Sequence, residues 1–181
     1  MATALFILAL LLQAPPAAPG PVTILAELKK EITSRRSHAG QDVRLVVTED
    51  ILAADGSVLI PSGANLSGKI AVAHKRSGNE PAALGFVVDK AEWKDVSIPL
   101  NATLERLQAL GSTDSSACGP NLNRGGLSAC GGSSTNFVPV PSDCSVEKVD
   151  DPGQMAVVCK KREVELGRGS IFMLKNSPPK T

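Results

Sequence analysis

Apolar and polar residues alternate over short stretches along much of the chain, as in half-buried β-strands. In the segment VRLVVT (43–48), for example, apolar residues occupy every second position. Segment 22–28 also has apolar residues at helical spacing, so its pattern fits a helix as well as a strand. We favour the strand. The pattern predicts strands over 22–28, 43–52, 57–60, 64–75, 83–93, 95–110, 155–164 and 170–175.

The best-defined turns lie in the stretch DGSVLIPSGANLSGKIAV (55–72). Asp55-Gly56 favours the left-handed dihedrals of a two-residue hairpin turn. Pro61 cannot donate a ladder hydrogen bond, so it ends the preceding strand or lies on an edge. Gly63 gives the backbone after Pro61 the freedom to turn, and Gly68 lies in the alternating run that follows. We interpret these five residues as a fold motif, with Leu59 or Ile60 pointing into the core.

Short alternating strands separated by Gly, Pro, Asn and Asp predict an all-β fold. We expect a small, partly closed antiparallel barrel or a sandwich of about 8–10 short strands. A Gly-Arg-Gly turn at 167–169 would separate the last two strands. The predicted core comprises Val43, Leu45, Val47, Leu59, Leu66, Ile70, Val72, Phe86, Val88, Ile98, Leu100, Val157 and Phe172.

Residues 111–143 break this pattern, because they are rich in Gly, Ser, Asn and Cys and have almost no apolar periodicity. A long segment of this composition inside a domain is typically functional or mobile. We therefore divide the chain into a signal peptide (1–18), a single β domain (19–175) with an insertion at 111–143, and a tail (176–181).

The N-terminus carries an apolar run over 5–12, followed by small residues and prolines. Such a run is too short for a transmembrane helix and resembles the h-region of a secretory signal. The MATA start lacks Lys and Arg, so an uncleaved anchor or a misassigned start are alternatives. We expect an exported protein, periplasmic or extracellular and possibly envelope-associated, with no transmembrane helix in the mature chain.

The four cysteines lie between positions 118 and 159, and no two of them form a C-x-x-C pair. An even count in an exported chain predicts two disulfides, with free thiols or a metal site as alternatives. Three pairings are possible. The simplest joins Cys118 to Cys130 and Cys144 to Cys159.

The chain is almost electrically balanced, with 19 Lys and Arg against 18 Asp and Glu. A nucleic-acid-binding domain usually has a clear excess of positive charge, so we predict no nucleic-acid partner. The basic runs KKEITSRR and CKKRE are far apart and contain acids, so we interpret them as solvated surface.

No set of residues predicts catalysis or metal binding. His38 and His74 are the only histidines; GLSAC (126–130) departs from a nucleophile elbow, and Ser145 and Lys148 match S-x-x-K without its partner motifs. The oxygen-rich segments 48–50 and 149–153 lack the spacing of a calcium loop and read more simply as polar turns. We therefore predict no catalytic residue, metal ligand or cofactor, and whether the chain is an enzyme stays open.

The pattern GxDV…VxEDI…DGSVLIPSGAxLxGKI resembles exported bacterial β-domains. It is also similar to the C-terminal β-barrel domain of the outer-membrane-complex subunit of type IV secretion and conjugation systems. The resemblance covers about 40–104 and rests on the segment 58–63 together with Gly68. It implies an all-β, partly closed barrel in the cell envelope, and it assigns no functional residue.

The leading hypothesis is a non-catalytic exported cell-envelope protein with a structural or protein-binding role. We expect envelope proteins to bind through an exposed strand edge or through the 111–143 segment. The first alternative is a secreted hydrolase or small-ligand-binding protein with its site under that segment. The second is an accessory subunit of a secretion apparatus.

Overall fold

The computed structural model describes residues 21–111, 137–138, 140–149 and 154–177. Its strands are β1 (Thr23–Leu28), β2 (Ile32–Thr33), β3 (Asp42–Val47), β4 (Ile51–Leu52), β5 (Val58–Ile60), β6 (Asn65–His74), β7 (Ala82–Trp93), β8 (Val96–Gly111), β9 (Phe137–Val138), β10 (Cys144–Val149), β11 (Gln154–Cys159) and β12 (Glu165–Asn176). This confirms the all-β, antiparallel prediction. The signal peptide, Cys118, Cys130, Ser128 and residues 150–153 lie outside the described residues.

Six strands form a closed antiparallel barrel in the order β1-β3-β6-β7-β8-β12. Each barrel strand pairs with the next one along the chain, and β12 pairs with β1. The pairing between β7 and β8 closes the ring, from Val87↔Thr103 to Trp93↔Val96. Of the two predicted architectures, the protein adopts the barrel.

The other strands are insertions between barrel strands. β2 pairs with the start of β12, and β4 and β5 form a separate hairpin between β3 and β6. β9, β10 and β11 lie between β8 and β12 in the chain. β11 pairs with the first residues of β7, and β10 pairs with β11.

The interior of the barrel is filled by the predicted alternating residues. Val43, Leu45 and Val47 of β3 are all buried, and the rings of Phe86 and Phe172 meet edge to face with their centroids 5.1 Å apart. The predicted core residues are buried except Leu59, which is half-buried. Ile60 is fully buried in its place, because alternate residues of a strand point to opposite faces.

Loops alternate between the two ends of the barrel, because consecutive barrel strands run in opposite directions. The register places segments 29–31, 34–41, 75–81, 141–143 and 160–164 at one end, which we call the first end. Segments 48–50, 53–57, 61–64 and 94–95 lie at the other, the second end.

Asp55 and Gly56 lie in the β4–β5 hairpin, as predicted, but the turn has three residues rather than two. The amide of Gly56 donates to the Ala53 carbonyl (2.9 Å), and the amide of Ala53 donates to the Ser57 carbonyl (2.8 Å). Gly56 adopts a φ of 83°, as in a turn that ends in a bulge. Hydrogen bonds from the Ser57 hydroxyl and amide to Asp55 hold the pKa of that carboxyl below its usual value.

Pro61, Gly63 and Gly68 connect β5 to the barrel. Gly63 has a φ of 84° and donates its amide to the Val47 carbonyl, while Ala64 donates to the Pro61 carbonyl. Gly68 lies at an irregularity in the β6–β7 pairing. A Cβ there would stand 2.2 Å from the Val87 carbonyl oxygen, so glycine is required by the close approach of the strands.

The predicted turn at 167–169 is wrong. The chain turns earlier, at the polar segment 160–163, and β12 runs continuously through the Gly-Arg-Gly sequence. The glycines accommodate an irregularity in the β8–β12 pairing between Gly167 and Ile171, with Gly169 at a φ of 87°. The Ser170 hydroxyl donates to the Gly167 carbonyl (2.7 Å) inside this bulge.

Candidate protein-binding edge

The hairpin of β10 and β11 forms a free edge of the sheet. β11 pairs with β7 on one side and with β10 on the other, so β10 is the last strand in the sheet order. Within the described part of the chain, no strand pairs with the outer side of β10. An unpaired edge of this kind can accept an additional strand from another chain.

A disulfide joins the two strands of this hairpin. Cys144 and Cys159 are directly opposite in the register, with an S–S distance of 2.05 Å and Cα atoms 4.1 Å apart. This is one of the two bonds in the simplest predicted pairing. Cys118 and Cys130, which that pairing joins to each other, lie outside the described residues.

The hydrogen-bond alternation of the hairpin determines which backbone groups face outward. The Lys160 amide donates to the Asp143 carbonyl (3.0 Å), which makes the pair just before Cys144–Cys159 a hydrogen-bonded one. Hydrogen-bonded pairs alternate with non-bonded pairs in an antiparallel ladder. The backbone groups of Ser145 and Glu147 therefore face β11, and those of Val146 and Lys148 face the free side.

The start of β10 is held in place by a compact turn. The Cys144 amide donates to the Pro141 carbonyl (2.9 Å), and Arg162 pairs with the Asp143 carboxylate at 3.1 Å. Desolvation acts to raise the pKa of Asp143, but the hydrogen bond and charge of Arg162, with backbone amides, outweigh it and lower that pKa. The outward-facing backbone groups of β10 therefore begin directly after a turn that is held by hydrogen bonds and an ion pair.

β11 lies tightly against the barrel wall. Val157 and Val158 pair with Leu84 and Ala83 of β7, and both valines are buried. A Cβ on Gly85 would stand 2.6 Å from the Met155 carbonyl oxygen, so a glycine in β7 permits this approach. The hairpin is consequently a rigid extension of the barrel, as a strand template requires.

A cavity of about 270 Å³ lies between this hairpin and β8. It contacts apolar side chains on both sides, Leu107 from β8 and Val146 from β10, while Glu105 and Arg106 line its charged part. The site therefore combines a backbone edge with a recess beside it. Together these can hold an extended peptide by main-chain hydrogen bonds and receive one of its side chains.

Within the described residues, the S-x-x-K match does not form a catalytic site, while GLSAC (126–130) lies outside those residues. Ser145 and Lys148 are three residues apart on β10, so their side chains point to opposite faces. The Ser145 hydroxyl instead donates to the Glu147 carboxylate. His38 and His74 are both exposed at the first end of the barrel.

The acidic segment 48–50 has a structural role in the turn after β5. The Ser62 amide donates to the Asp50 carboxylate (2.6 Å), and the Ser62 hydroxyl donates to the Thr48 carbonyl (3.0 Å). Across the described residues, no group of three or more His, Cys, Asp or Glu side chains is arranged to hold a metal ion.

Comparison with protein-family models, with curated proteins and with solved structures finds no match. The described ranges contain no helix with the length and hydropathy needed to cross a bilayer.

Sequence reasoning anticipated a strand edge but did not locate it. One available indication was the position of the cysteines. Cys144 and Cys159 are equidistant from the centre of the Asp-Asp-Pro-Gly segment (150–153), which the sequence predicts as a turn. Opposite residues of a hairpin share this property, so the pair and its register could have been inferred together.

Proposed function

We propose that this protein is a non-catalytic, exported cell-envelope protein that binds an extended segment of a partner protein along β10. The observation that carries the proposal is the outward-facing backbone of Val146 and Lys148 on a hairpin closed by the Cys144–Cys159 disulfide. A rigid strand edge favours such binding because the edge is already ordered before the partner arrives.

Export is supported by the same disulfide, since such bonds persist in oxidising compartments. The apolar run at 5–12 adds the sequence argument for a secretory signal. We place the protein in the periplasm or outside the cell, attached to the envelope through its partner.

A photo-crosslinking amino acid at position 148 tests the proposal. Lys148 is exposed on the outer side of β10, so a crosslinker there should capture the partner in intact envelope preparations. The captured protein, once identified and purified, provides the ligand for a direct affinity measurement.

Proline substitution then separates backbone pairing from side-chain contact. Val146→Pro removes an outward amide and keeps the inner ladder, so we expect binding to fall at least tenfold while the hairpin stays folded. Val146→Thr keeps the amide and should bind like the wild type. Glu147→Pro removes an inward amide and should destabilise the hairpin instead.

Equal affinities for the wild type and Val146→Pro, with both proteins folded, would show that β10 does not accept a strand. Capture from a crosslinker at Lys69, on the wall of the barrel, with the same yield as from position 148 would also contradict the proposal.

A further inference from the structure

The chain is nearly neutral as a whole, but positive and negative charges are concentrated at opposite ends of the barrel. Within the described residues, the five loop segments of the first end hold nine Lys and Arg and four Asp and Glu, a net charge of +5. The loops of the second end hold one Lys and four acids, a net charge of −3. The nine cations are Lys29, Lys30, Arg35, Arg36, Lys75, Arg76, Lys160, Lys161 and Arg162.

These cations come from sequence runs that are far apart. Residues 34–36, 74–76 and 160–162 read SRR, HKR and KKR, and the topology of the barrel brings all three to the first end. Taken one at a time, each run is typical of ordinary solvated surface. Their convergence makes a single basic surface, which we call the basic end.

The Glu163 carboxylate joins the three loops by hydrogen bonds. Glu163 accepts hydrogen bonds from the Ser34 hydroxyl (2.7 Å) and from the Arg76 amide (3.2 Å). The Ser34 amide also donates to the Val164 carbonyl (2.9 Å). The loops are therefore held beside one another before any ligand binds.

Much of the negative charge at this end is already engaged. Glu163 makes the hydrogen bonds above, and Asp143 pairs with Arg162 at 3.1 Å. Arg36, Lys75 and Lys161 are exposed, and none of them is within 4 Å of an acidic group among the described residues. One unpaired cation from each loop thus faces outward.

We propose that the basic end binds the anionic phospholipid surface of a membrane. All its loops lie at one end of the barrel, so they can approach the same plane of headgroups at once. Lys and Arg side chains near such a surface each contribute to binding, and the contributions accumulate. Among the described residues, the exposed large apolar side chains are Leu52, Val58 and Val96, and they lie at or beside the second end. The described part of the basic end therefore offers a membrane charge rather than apolar surface.

Two other anionic partners are less favoured by the structure. Nucleic acid is the weaker candidate in the oxidising compartment that the disulfide indicates, and Phe86, Phe172 and Trp93 offer no stacking surface at the basic end. A second copy could present its acidic second end, but that end has the smaller charge. Both are outcomes of the test below.

Vesicle co-sedimentation of the full chain tests the proposal. We expect the wild type to sediment with vesicles of phosphatidylcholine mixed with phosphatidylglycerol and to stay in solution with phosphatidylcholine alone. The triple variant Arg36→Gln, Lys75→Gln, Lys161→Gln should partition about 100-fold more weakly, at about fivefold for each cation.

A matched variant controls for net charge. Lys90→Gln, Lys94→Gln, Lys175→Gln removes three positive charges from the barrel wall and the second end, so it should bind vesicles like the wild type. Equal weakening by both triple variants would overturn the proposal. The substituted cations are exposed except Lys90, which is half-buried, so we expect every variant to fold, and thermal unfolding of each variant checks this.

Three further results would overturn the proposal. The first is vesicle binding that persists at about 1 M salt, where charge interactions are screened within a few ångströms. The second is tighter binding to duplex DNA than to vesicles at equal phosphate concentration. The third is self-association of the wild type that the triple variant Arg36→Gln, Lys75→Gln, Lys161→Gln abolishes. Binding to the β10 ligand is measured separately, so failure here leaves the proposed function standing.

Discussion

The hydroxyl of Ser34 lies 2.7 Å from the Glu163 carboxylate, although 129 residues separate them in the chain. Ser34 is buried, and its oxygen also accepts a hydrogen bond from the Val164 amide (3.0 Å). A single hydroxyl therefore satisfies two groups and joins the loop after β2 to the turn before β12.

Replacing this hydroxyl tests its contribution to stability. Ser34→Ala leaves the buried Val164 amide without that acceptor, which typically costs about 1–3 kcal/mol. We expect a loss of that size in the free energy of unfolding by urea denaturation. Ser37→Ala, three residues along the same loop, is the control and should change stability by less than about 0.5 kcal/mol. Equal losses in the two variants would contradict the role of Ser34.

Glu163 should make stability depend on pH. The hydrogen bond from Ser34, followed by the Arg76 amide and the charges of Arg35 and Arg76, lowers the pKa of Glu163 below 4.5 despite desolvation. The folded state therefore binds this proton less readily than the unfolded state. Its contribution is fully present above the unfolded pKa and is lost as the pH falls through the folded pKa.

The variant Glu163→Gln isolates this contribution. We expect the wild type to be more stable than the variant at pH 7 and the difference to shrink below about pH 4.5. Asp42, Asp55 and Asp143 also have lowered pKa values, but they are present in both proteins and cancel in the difference. Glu165→Gln, on the exposed side of β12, is the control. A difference that stays constant down to about pH 3 would contradict this assignment.

The strands of the barrel were predictable because their pattern is local. Alternation identified β3, β6, β7 and β8, and Gly-containing turns identified the β4–β5 hairpin. The boundaries of β12 were not predictable from the glycines at 167 and 169, since glycine serves both turns and bulges. Only the pairing of β12 with β8 distinguishes the turn role of these glycines from the bulge role, and that pairing is a property of the folded chain.

The basic end could not be predicted from the sequence for a related reason. The runs around Arg35, Arg76 and Lys161 are 40 residues or more apart, so a count along the sequence gives an almost neutral chain. Their convergence follows only when consecutive strands are known to be neighbours, because every second connection then lies at the same end. Counting charges separately for alternate loops would have found it.

The Cys144–Cys159 disulfide should stabilise the protein measurably. The bond closes a loop with a sequence separation of 15, which corresponds to about 3 kcal/mol in the chain-entropy model. We expect Cys144→Ala, Cys159→Ala to lose roughly that amount in chemical denaturation. Peptide mapping under non-reducing conditions should recover these two cysteines in one linked fragment. A fragment linking either of them to Cys118 or Cys130 would contradict the pairing.

The aromatic pair in the core should show energetic coupling. Phe86 and Phe172 meet at an interplanar angle of 88°, and both side chains are buried. We expect the single variants Phe86→Leu and Phe172→Leu each to destabilise the fold. In a double-mutant cycle the pair should show about 0.5–1.5 kcal/mol of favourable coupling, which is typical of edge-to-face rings. Strictly additive losses would mean that each ring contributes only by filling space.

Two glycines of the stretch that contains Pro61 should respond very differently to alanine. At Gly68 a methyl group would meet the Val87 carbonyl at 2.2 Å and the Val88 Cα at 2.8 Å, so β6 and β7 would have to separate. We expect a loss of about 3 kcal/mol or more in the free energy of unfolding for Gly68→Ala. Gly63 has open space around it, so Gly63→Ala should cost only the 1–2 kcal/mol or so of a left-handed alanine. If the two variants lose equal stability, the close packing of β6 on β7 at Gly68 is not what requires glycine there.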